Sequence, residues 1–191
     1  MTTANKITIG RILFVPVFIS AVIFYGRTEL DGYRVMAILV FALTSISDAV
    51  DGYIARHYNQ KSELGAILDP LADKLLLVSA GILLSIKQGD LPTIPPIFIL
   101  TILSRDVLIL LGFMVIHFIC ERVKVCPRWP GKIATFLQMV TIIFVLFSAE
   151  ENYVKMLAYA SVSFTILSAF YYVSDGVRQL NESPASAPTK K

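Results

Sequence analysis

The stretch SDAVDGYIARHYNQKSELGAILDPLADK, residues 47–74, decides the fold, because it carries four aspartates and an arginine between apolar segments. Asp48 and Asp51 are three residues apart, and Asp69 and Asp73 are four apart. On a helix, either separation puts both carboxylates on one face. Ionisable groups at the edge of a hydrocarbon layer are costly and are by default functional candidates. Two helices that each offer a carboxylate pair can build a hard-cation site from oxygen ligands.

The rest of the chain is apolar enough to lie in a membrane. Of its 191 residues 55% are hydrophobic, and the 16% that are charged fall well below the share of about 25% in soluble domains. A bilayer span needs about 20 mostly apolar residues. We therefore predict an all-α polytopic membrane protein with six transmembrane helices, centred on the apolar segments at about 7–25, 33–47, 65–86, 95–118, 132–148 and 154–173. Pro70 fits this scheme if it occupies the first turn of the third helix.

The placement of lysine and arginine predicts the orientation of these helices. Eleven lie on the side of the N-terminus, the aspartate motif and the tail, namely Lys6, Arg11, Arg56, Lys61, Arg122, Lys124, Arg128, Lys132, Arg178, Lys190 and Lys191. Four lie on the other side, namely Arg27, Arg34, Lys87 and Lys155. Both termini and the motif are therefore expected at the cytoplasmic face of the cell membrane. We predict a membrane domain over residues 1–175 and a polar, disordered tail over residues 176–191.

The motif has the composition of a metal-dependent phosphate site. Carboxylates packed together need compensating positive charge, and an all-oxygen ligand set favours Mg²⁺ or Mn²⁺. Two such ions side by side can hold phosphoryl oxygens. Gly52 and Ala55 leave one face of the helix without bulky side chains, and Arg56 can bind a phosphate through two hydrogen bonds. Together these residues indicate a site for a pyrophosphate compound at the membrane edge.

The spacing Asp48-x2-Asp51-Gly52-x2-Ala55-Arg56-x8-Gly65-x3-Asp69-x3-Asp73 resembles, at all eight fixed positions, the signature of the CDP-alcohol phosphotransferase family. Three segments look like the family's bacterial phosphatidylglycerophosphate synthases: NKITIGRILFVPVFI at 5–19, LDPLADK at 68–74 and WPGKIATFLQM at 129–139. The resemblance implies a six-helix fold, usually a homodimer, with a polar cavity open to the cytoplasm and to membrane lipids.

The resemblance also implies a role for each position of the signature. Two metal ions would be held by the four aspartates Asp48, Asp51, Asp69 and Asp73. Asp73 would also act as the general base. CDP would be bound by Gly52, Ala55, Arg56 and Gly65. The acceptor hydroxyl would attack the β-phosphorus of CDP-diacylglycerol, and CMP would leave.

The acceptor is less well specified by the sequence. Glycerol 3-phosphate needs polar and cationic groups beyond those that hold CDP, and the candidates are Thr8, Arg11, Arg105, Arg122 and Lys132. Arg105-Asp106 stands where the synthases commonly have Arg-Glu, and SRDVLIL at 104–110 looks more like the related cardiolipin synthases, whose acceptor is phosphatidylglycerol. Lys132, Thr135 and Gln138 match the synthases, so we expect glycerol 3-phosphate.

One hypothesis comes from a different class of protein, a cation transporter that uses the aspartates as an ion path. It gives no reason for Gly52, Ala55 and Arg56 at their fixed spacing. Nucleic acid is excluded as a partner, because the net charge of +3 is not gathered into a basic stripe.

Overall fold

The protein is all-helical over the part that the structure describes. The structure, a computed structural model, describes the backbone of residues 3–57, 63–119 and 129–181 and the side chains of residues 10–47, 74–112, 114 and 129–178. Six α-helices occupy these ranges: α1 Thr3–Thr28, α2 Asp31–His57, α3 Glu63–Leu84, α4 Pro96–Ile119, α5 Trp129–Leu146 and α6 Glu151–Asn181. No strand occurs within the same ranges, so the all-α prediction is confirmed there.

Two boundaries differ from those expected from the apolar segments. Helix α3 begins at Glu63, which makes Pro70 its eighth residue and not part of its first turn. Helix α6 ends at Asn181, so residues 176–181 of the predicted tail are helical, and residues 182–191 lie outside the described ranges. In both cases the helix extends beyond the apolar segment, because hydrogen bonding along the backbone does not stop where hydropathy changes.

Three helices in the described ranges are long and apolar enough to cross a membrane. They are Gly10–Thr28, Trp129–Leu146 and Glu151–Arg178, and Lys74–Leu84 is a shorter apolar helix. Many of their large apolar side chains are exposed, among them Leu13, Phe136 and Phe170. Such a surface suits lipid, because soluble proteins seldom expose wide apolar patches. The membrane character is therefore supported, and the six spans and their orientation stay predictions.

The first of two compact units contains residues 1–94 and 140–155. Within it α1 packs against both α2 and α3. Phe18 of α1 is fully buried, and its ring centre lies 5.8 Å from that of Phe41 in α2. Aromatic pairs at this distance contribute beyond the apolar area they bury. Helix α1 thus contacts both helices that carry the aspartate motif.

A polar cluster around Arg34 joins the turns of this unit. The guanidinium donates to the hydroxyl of Ser148 at 2.9 Å and forms an ion pair with Asp31 at 3.0 Å. It also lies 6.0 Å from the ring centre of Tyr25, within range of a cation–π contact. Ser148 and Glu29 have φ angles of 54° and 55°, in the left-handed region that side chains rarely adopt. The turns between α1 and α2 and between α5 and α6 are therefore tightly defined.

The second compact unit contains residues 95–139 and 156–191. In it the hydroxyl of Tyr172 on α6 donates to the carbonyl oxygen of Ile109 on α4 at 3.0 Å. The same ring passes Gly112 so closely that a Cβ atom there would lie 2.9 Å from a ring carbon. Glycine is therefore the residue that lets the ring cross α4 and reach its hydrogen-bond partner.

We expect Gly112→Ala to destabilise the protein, because the added methyl group displaces Tyr172 from its hydrogen bond to Ile109. Overpacking costs about 1–3 kcal/mol, and losing a hydrogen bond costs about 1 kcal/mol. The measurement is thermal unfolding in one detergent, with Gly10→Ala as the matched control, since no atom of the described residues lies within 4 Å of a Cβ placed on Gly10. Both variants gain the same helix propensity from alanine. If the unfolding temperature of Gly112→Ala falls no further than that of Gly10→Ala, the close contact between Tyr172 and Gly112 is contradicted.

Candidate functional site

The aspartate motif lies in the first compact unit, on two helices joined by a short connection. Asp48 and Asp51 are in the last part of α2, and Asp69 and Asp73 are in the first half of α3. The helical conformation supports the expectation that each pair shares a helix face. The side chains of residues 48–73 lie outside the described ranges.

The predicted CDP-binding residues belong to the same region. Gly52, Ala55 and Arg56 lie in α2 and Gly65 lies in α3, and their contacts fall outside the described part. In that described part, no three His, Cys, Asp or Glu side chains come together as a metal site. The side chains of the motif aspartates lie outside that part, so the metal and CDP assignments stay predictions.

The five acceptor candidates are distributed over the chain and not gathered in one described cluster. Thr8 lies in α1, but its side chain is outside the described range, and Arg122 is outside it altogether. Arg11 is buried in the first unit, with 4% of its surface exposed. Lys132 is exposed in the first turn of α5, and Arg105 lies in the middle of α4. Arg105 and Lys132 both belong to the second unit.

Arg105 is held by its neighbour in sequence. Its Nη1 atom lies 3.1 Å from Oδ1 of Asp106, and 24% of the arginine side chain is exposed. The Nε atom is buried and has no hydrogen-bond partner in the described part of the chain. An arginine in an apolar helix that uses only part of its donors is a candidate for binding an anion.

Two residues that the sequence did not single out as ligands lie beside Arg105. A Cβ atom placed on Gly131 would lie 3.1 Å from Nη2 of Arg105 and 3.0 Å from Oγ of Ser168. Gly131 is in the first turn of α5, and Ser168 is on α6 with 9% of its surface exposed. Helices α4, α5 and α6 thus bring a guanidinium, a hydroxyl and a glycine to one place within the second unit.

A hydrogen bond between two buried polar side chains also joins α5 to α6 in the second unit. Nε2 of Gln138 donates to Oγ1 of Thr165 at 3.2 Å, and Thr165 donates to the carbonyl oxygen of Ser161 at 2.7 Å. Gln138 and Thr165 are both buried. The sequence indicates a polar face on α6, since Ser161, Thr165, Ser168 and Tyr172 recur at spacings of four, three and four residues. Such spacing marks one face of a helix.

Comparison with known proteins gives a family match over most of the chain. The model of a family described as CDP-alcohol phosphatidyltransferase matches residues 1–167. That range includes the whole aspartate motif, together with Arg105, Gly131 and Gln138.

Individual relatives match over 82–91% of their own length. A protein of Mycobacterium tuberculosis named "Probable phosphatidylglycerophosphate synthase" is 38% identical over 181 residues, which are 93% of this chain and 82% of the relative. The CDP-diacylglycerol–glycerol-3-phosphate 3-phosphatidyltransferase of Rickettsia bellii is 36% identical over 88% of this chain and 91% of its own. The protein of the same name from Haemophilus influenzae is 32% identical over 87% and 89%.

We expect Thr165→Val to lower stability, because it leaves the buried amide of Gln138 without its acceptor. An unsatisfied buried donor costs about 1–3 kcal/mol. Thr165→Ser keeps the hydroxyl and serves as the control. Thermal unfolding of the two variants under identical conditions measures the difference. If both variants unfold at the same temperature, the hydrogen bond contributes nothing.

Proposed function

The chain belongs to the CDP-alcohol phosphatidyltransferase family, and we propose that it transfers the phosphatidyl group of CDP-diacylglycerol to glycerol 3-phosphate. The products are phosphatidylglycerophosphate and CMP. The observation that carries this proposal is the set of relatives named for that reaction or its product, which are 32–38% identical over 87–93% of the chain. The signature in residues 48–73 supports the same reaction class.

The motif residues fit a divalent-metal site by the chemistry of their donors. Helices α2 and α3 each carry two aspartates at a spacing that places them on one face, and α1 packs against both helices. We assign Asp48, Asp51, Asp69 and Asp73 as ligands of two Mg²⁺ or Mn²⁺ ions. When bound, such ions neutralise the negative charge of the pyrophosphate and of the departing CMP.

The residues between the aspartates are assigned to the nucleotide. Gly52, Ala55 and Gly65 leave one face without bulk, which allows a flat ligand to approach the backbone. Arg56 is long enough to donate two hydrogen bonds to a phosphate.

The reaction itself needs one proton acceptor from the protein. Asp73 takes the proton of a free hydroxyl of the acceptor, and the oxygen attacks the β-phosphorus of CDP-diacylglycerol. The bond from that phosphorus to the bridging oxygen breaks, and CMP leaves with the electron pair. The proton stays on Asp73 until solvent removes it.

The acceptor's phosphate requires positive charge away from the motif. Arg105 is assigned to it, since its Nε atom is buried without a partner in the described part of the chain. Lys132 is exposed in the first turn of α5 and can add a second charge. Arg11, Thr8 and Arg122 remain assigned to the acceptor on the sequence argument alone.

The proposed setting is the cell membrane, with the motif on the cytoplasmic side. The chain is apolar, and the three long apolar helices support an integral membrane protein. The excess of lysine and arginine on the side of the motif supports its orientation. A homodimer among membrane lipids is part of the same proposal and follows from the family resemblance.

Purified protein should release CMP from CDP-diacylglycerol when glycerol 3-phosphate and Mg²⁺ or Mn²⁺ are supplied. Parallel reactions with phosphatidylglycerol, inositol phosphate and serine identify the acceptor. Chelation of the metal with EDTA should stop the release, and added Mg²⁺ should restore it. Release with phosphatidylglycerol alone would make the protein a cardiolipin synthase, and no release with any acceptor would leave the cation-transporter hypothesis.

We expect Asp73→Asn to abolish transfer while part of the metal affinity survives, because the amide cannot accept the proton but three carboxylates remain. Single-turnover CMP release measures the first effect, and calorimetric titration with Mn²⁺ measures the second. Lys74→Gln, next in the chain, is the control for a change at this position of α3. Turnover near that of the unaltered protein in Asp73→Asn would rule out Asp73 as the base.

A further inference from the structure

The guanidinium group of Arg34 is held from three directions near the start of α2, the end of that helix away from the aspartate motif. Its Nη1 atom donates to Oγ of Ser148, between α5 and α6, at 2.9 Å, and its Nη2 atom lies 3.0 Å from Oδ1 of Asp31. Its central carbon lies 6.0 Å from the ring centre of Tyr25 on α1. Two directional bonds and an aromatic ring therefore fix the orientation of this group.

Both partners outside α2 are themselves held in place. The ring of Tyr25 is buried and also contacts the loop after α3, since a Cβ atom on Gly89 would lie 3.5 Å from its Cε1 atom. The φ angle of Ser148 is 54°, and its N–H donates to the carbonyl oxygen of Val145 at 2.8 Å. A residue stays in the left-handed region only where its surroundings determine its conformation. Arg34 is thus bonded to positions that do not shift easily.

The hydrogen bond from Arg34 to Ser148 constrains the rotation of α2 about its own axis. In the part of α2 whose side chains are described, residues 31–47, it is the hydrogen bond that reaches another element, whereas the hydroxyl of Thr44 donates to carbonyl oxygens of α2 itself. The apolar contacts of α2, such as that of Phe41 with Phe18, are not directional. A hydrogen bond accepts only a narrow range of distance and angle.

The rotation of α2 matters because the same helix carries Asp48 and Asp51. No proline or glycine interrupts α2 between Arg34 and Asp48, so a turn at one end is transmitted to the other. Side chains extend to about 5–6 Å from a helix axis, and a rotation of about 10° therefore moves a carboxylate there by about 1 Å. The distance from a metal ion to its ligand tolerates a change of only about 0.2 Å.

We propose that Arg34 is a positioning residue for the metal site, because it fixes through α2 the direction of Asp48 and Asp51. The inference rests on the proposed function, which takes these aspartates as metal ligands. Arg34 lies roughly 21 Å along the helix from Asp48, so it acts through α2 and contacts neither the metal ions nor the substrates.

The first test is calorimetric titration of the purified protein with Mn²⁺. Arg34→Gln should weaken binding roughly tenfold, the lower end of the effect of residues that orient metal ligands. Ser148→Ala should weaken it in the same direction, because it removes the acceptor. Ser148→Asn keeps an acceptor and suits the left-handed backbone, so it should recover most of the affinity. Arg27→Gln replaces an exposed arginine near the end of α1 and, as the matched control, should leave the affinity unchanged.

A loss of stability alone has a different signature. Gly112→Ala, which we expect to lower the unfolding temperature from within the second unit, serves as a destabilised control and should bind Mn²⁺ like the unaltered protein. If Arg34→Gln lowers the unfolding temperature and leaves the Mn²⁺ affinity unchanged, the positioning role is overturned. It is also overturned if Gly112→Ala weakens Mn²⁺ binding as much as Arg34→Gln does for the same fall in unfolding temperature.

The transferase reaction gives a second measurement. Arg34→Gln should lower kcat by roughly 10- to 100-fold, since a displacement of about 1 Å can cost this much. KM for glycerol 3-phosphate should stay unchanged, because its phosphate is assigned to residues of the second unit. A rise in this KM with an unchanged kcat would contradict the positioning role.

The titration also separates this inference from the proposed reaction, because it needs no turnover. Mn²⁺ binding that weakens in Arg34→Gln supports the positioning role even if the unaltered protein releases no CMP, a result that overturns the reaction alone. Normal CMP release together with Mn²⁺ binding that does not depend on Arg34 overturns the positioning role alone. Absence of Mn²⁺ binding to the unaltered protein overturns the metal assignment and this inference with it.

Discussion

Every polar side chain among these apolar helices must find a partner inside the protein, because lipid offers none. Most of those described do so locally. The hydroxyls of Thr44 and Thr101 donate to carbonyl oxygens four residues earlier, and Gln138 finds Thr165 on the neighbouring helix. Few groups fail this requirement in the described ranges, and the Nε atom of Arg105 and the hydroxyl of Ser161 are among them. Of these two residues, Arg105 is the one proposed above to bind the phosphate of the acceptor.

The two compact units hold different parts of the proposed chemistry. The first contains the helices α1, α2 and α3 and with them the whole aspartate signature. The second contains Arg105 of α4 and Lys132 of α5. Metal and nucleotide are thus assigned to residues close together in sequence, and the acceptor's phosphate to residues far apart in it. Residues close together in sequence form a recognisable signature, whereas residues on separate helices do not.

The sequence predicted the helices well but placed several of their ends too early or too late. Apolar segments gave six helices, and the structure has six in its described ranges. Helix α6 extends past Val173 to Asn181 because polar residues such as Gln179 continue a helix as readily as apolar ones. Helix α3 begins before Pro70, at Glu63, so the proline's missing N–H costs the helix one hydrogen bond without ending it. Hydropathy marks what lies in lipid, whereas hydrogen bonding decides where a helix ends.

What the sequence determined by itself was the helical membrane class and the family signature, because both depend on composition and on spacing along the chain. Asp48, Asp51, Asp69 and Asp73 could be paired without coordinates for that reason. Arg105 could be suspected, since a charge within an apolar helix is visible in the chain. That Gly131 of α5 packs against both Nη2 of Arg105 on α4 and Oγ of Ser168 on α6 was decided only by tertiary structure. Those contacts depend on how α4, α5 and α6 pack, and no pattern within a single helix contains that information.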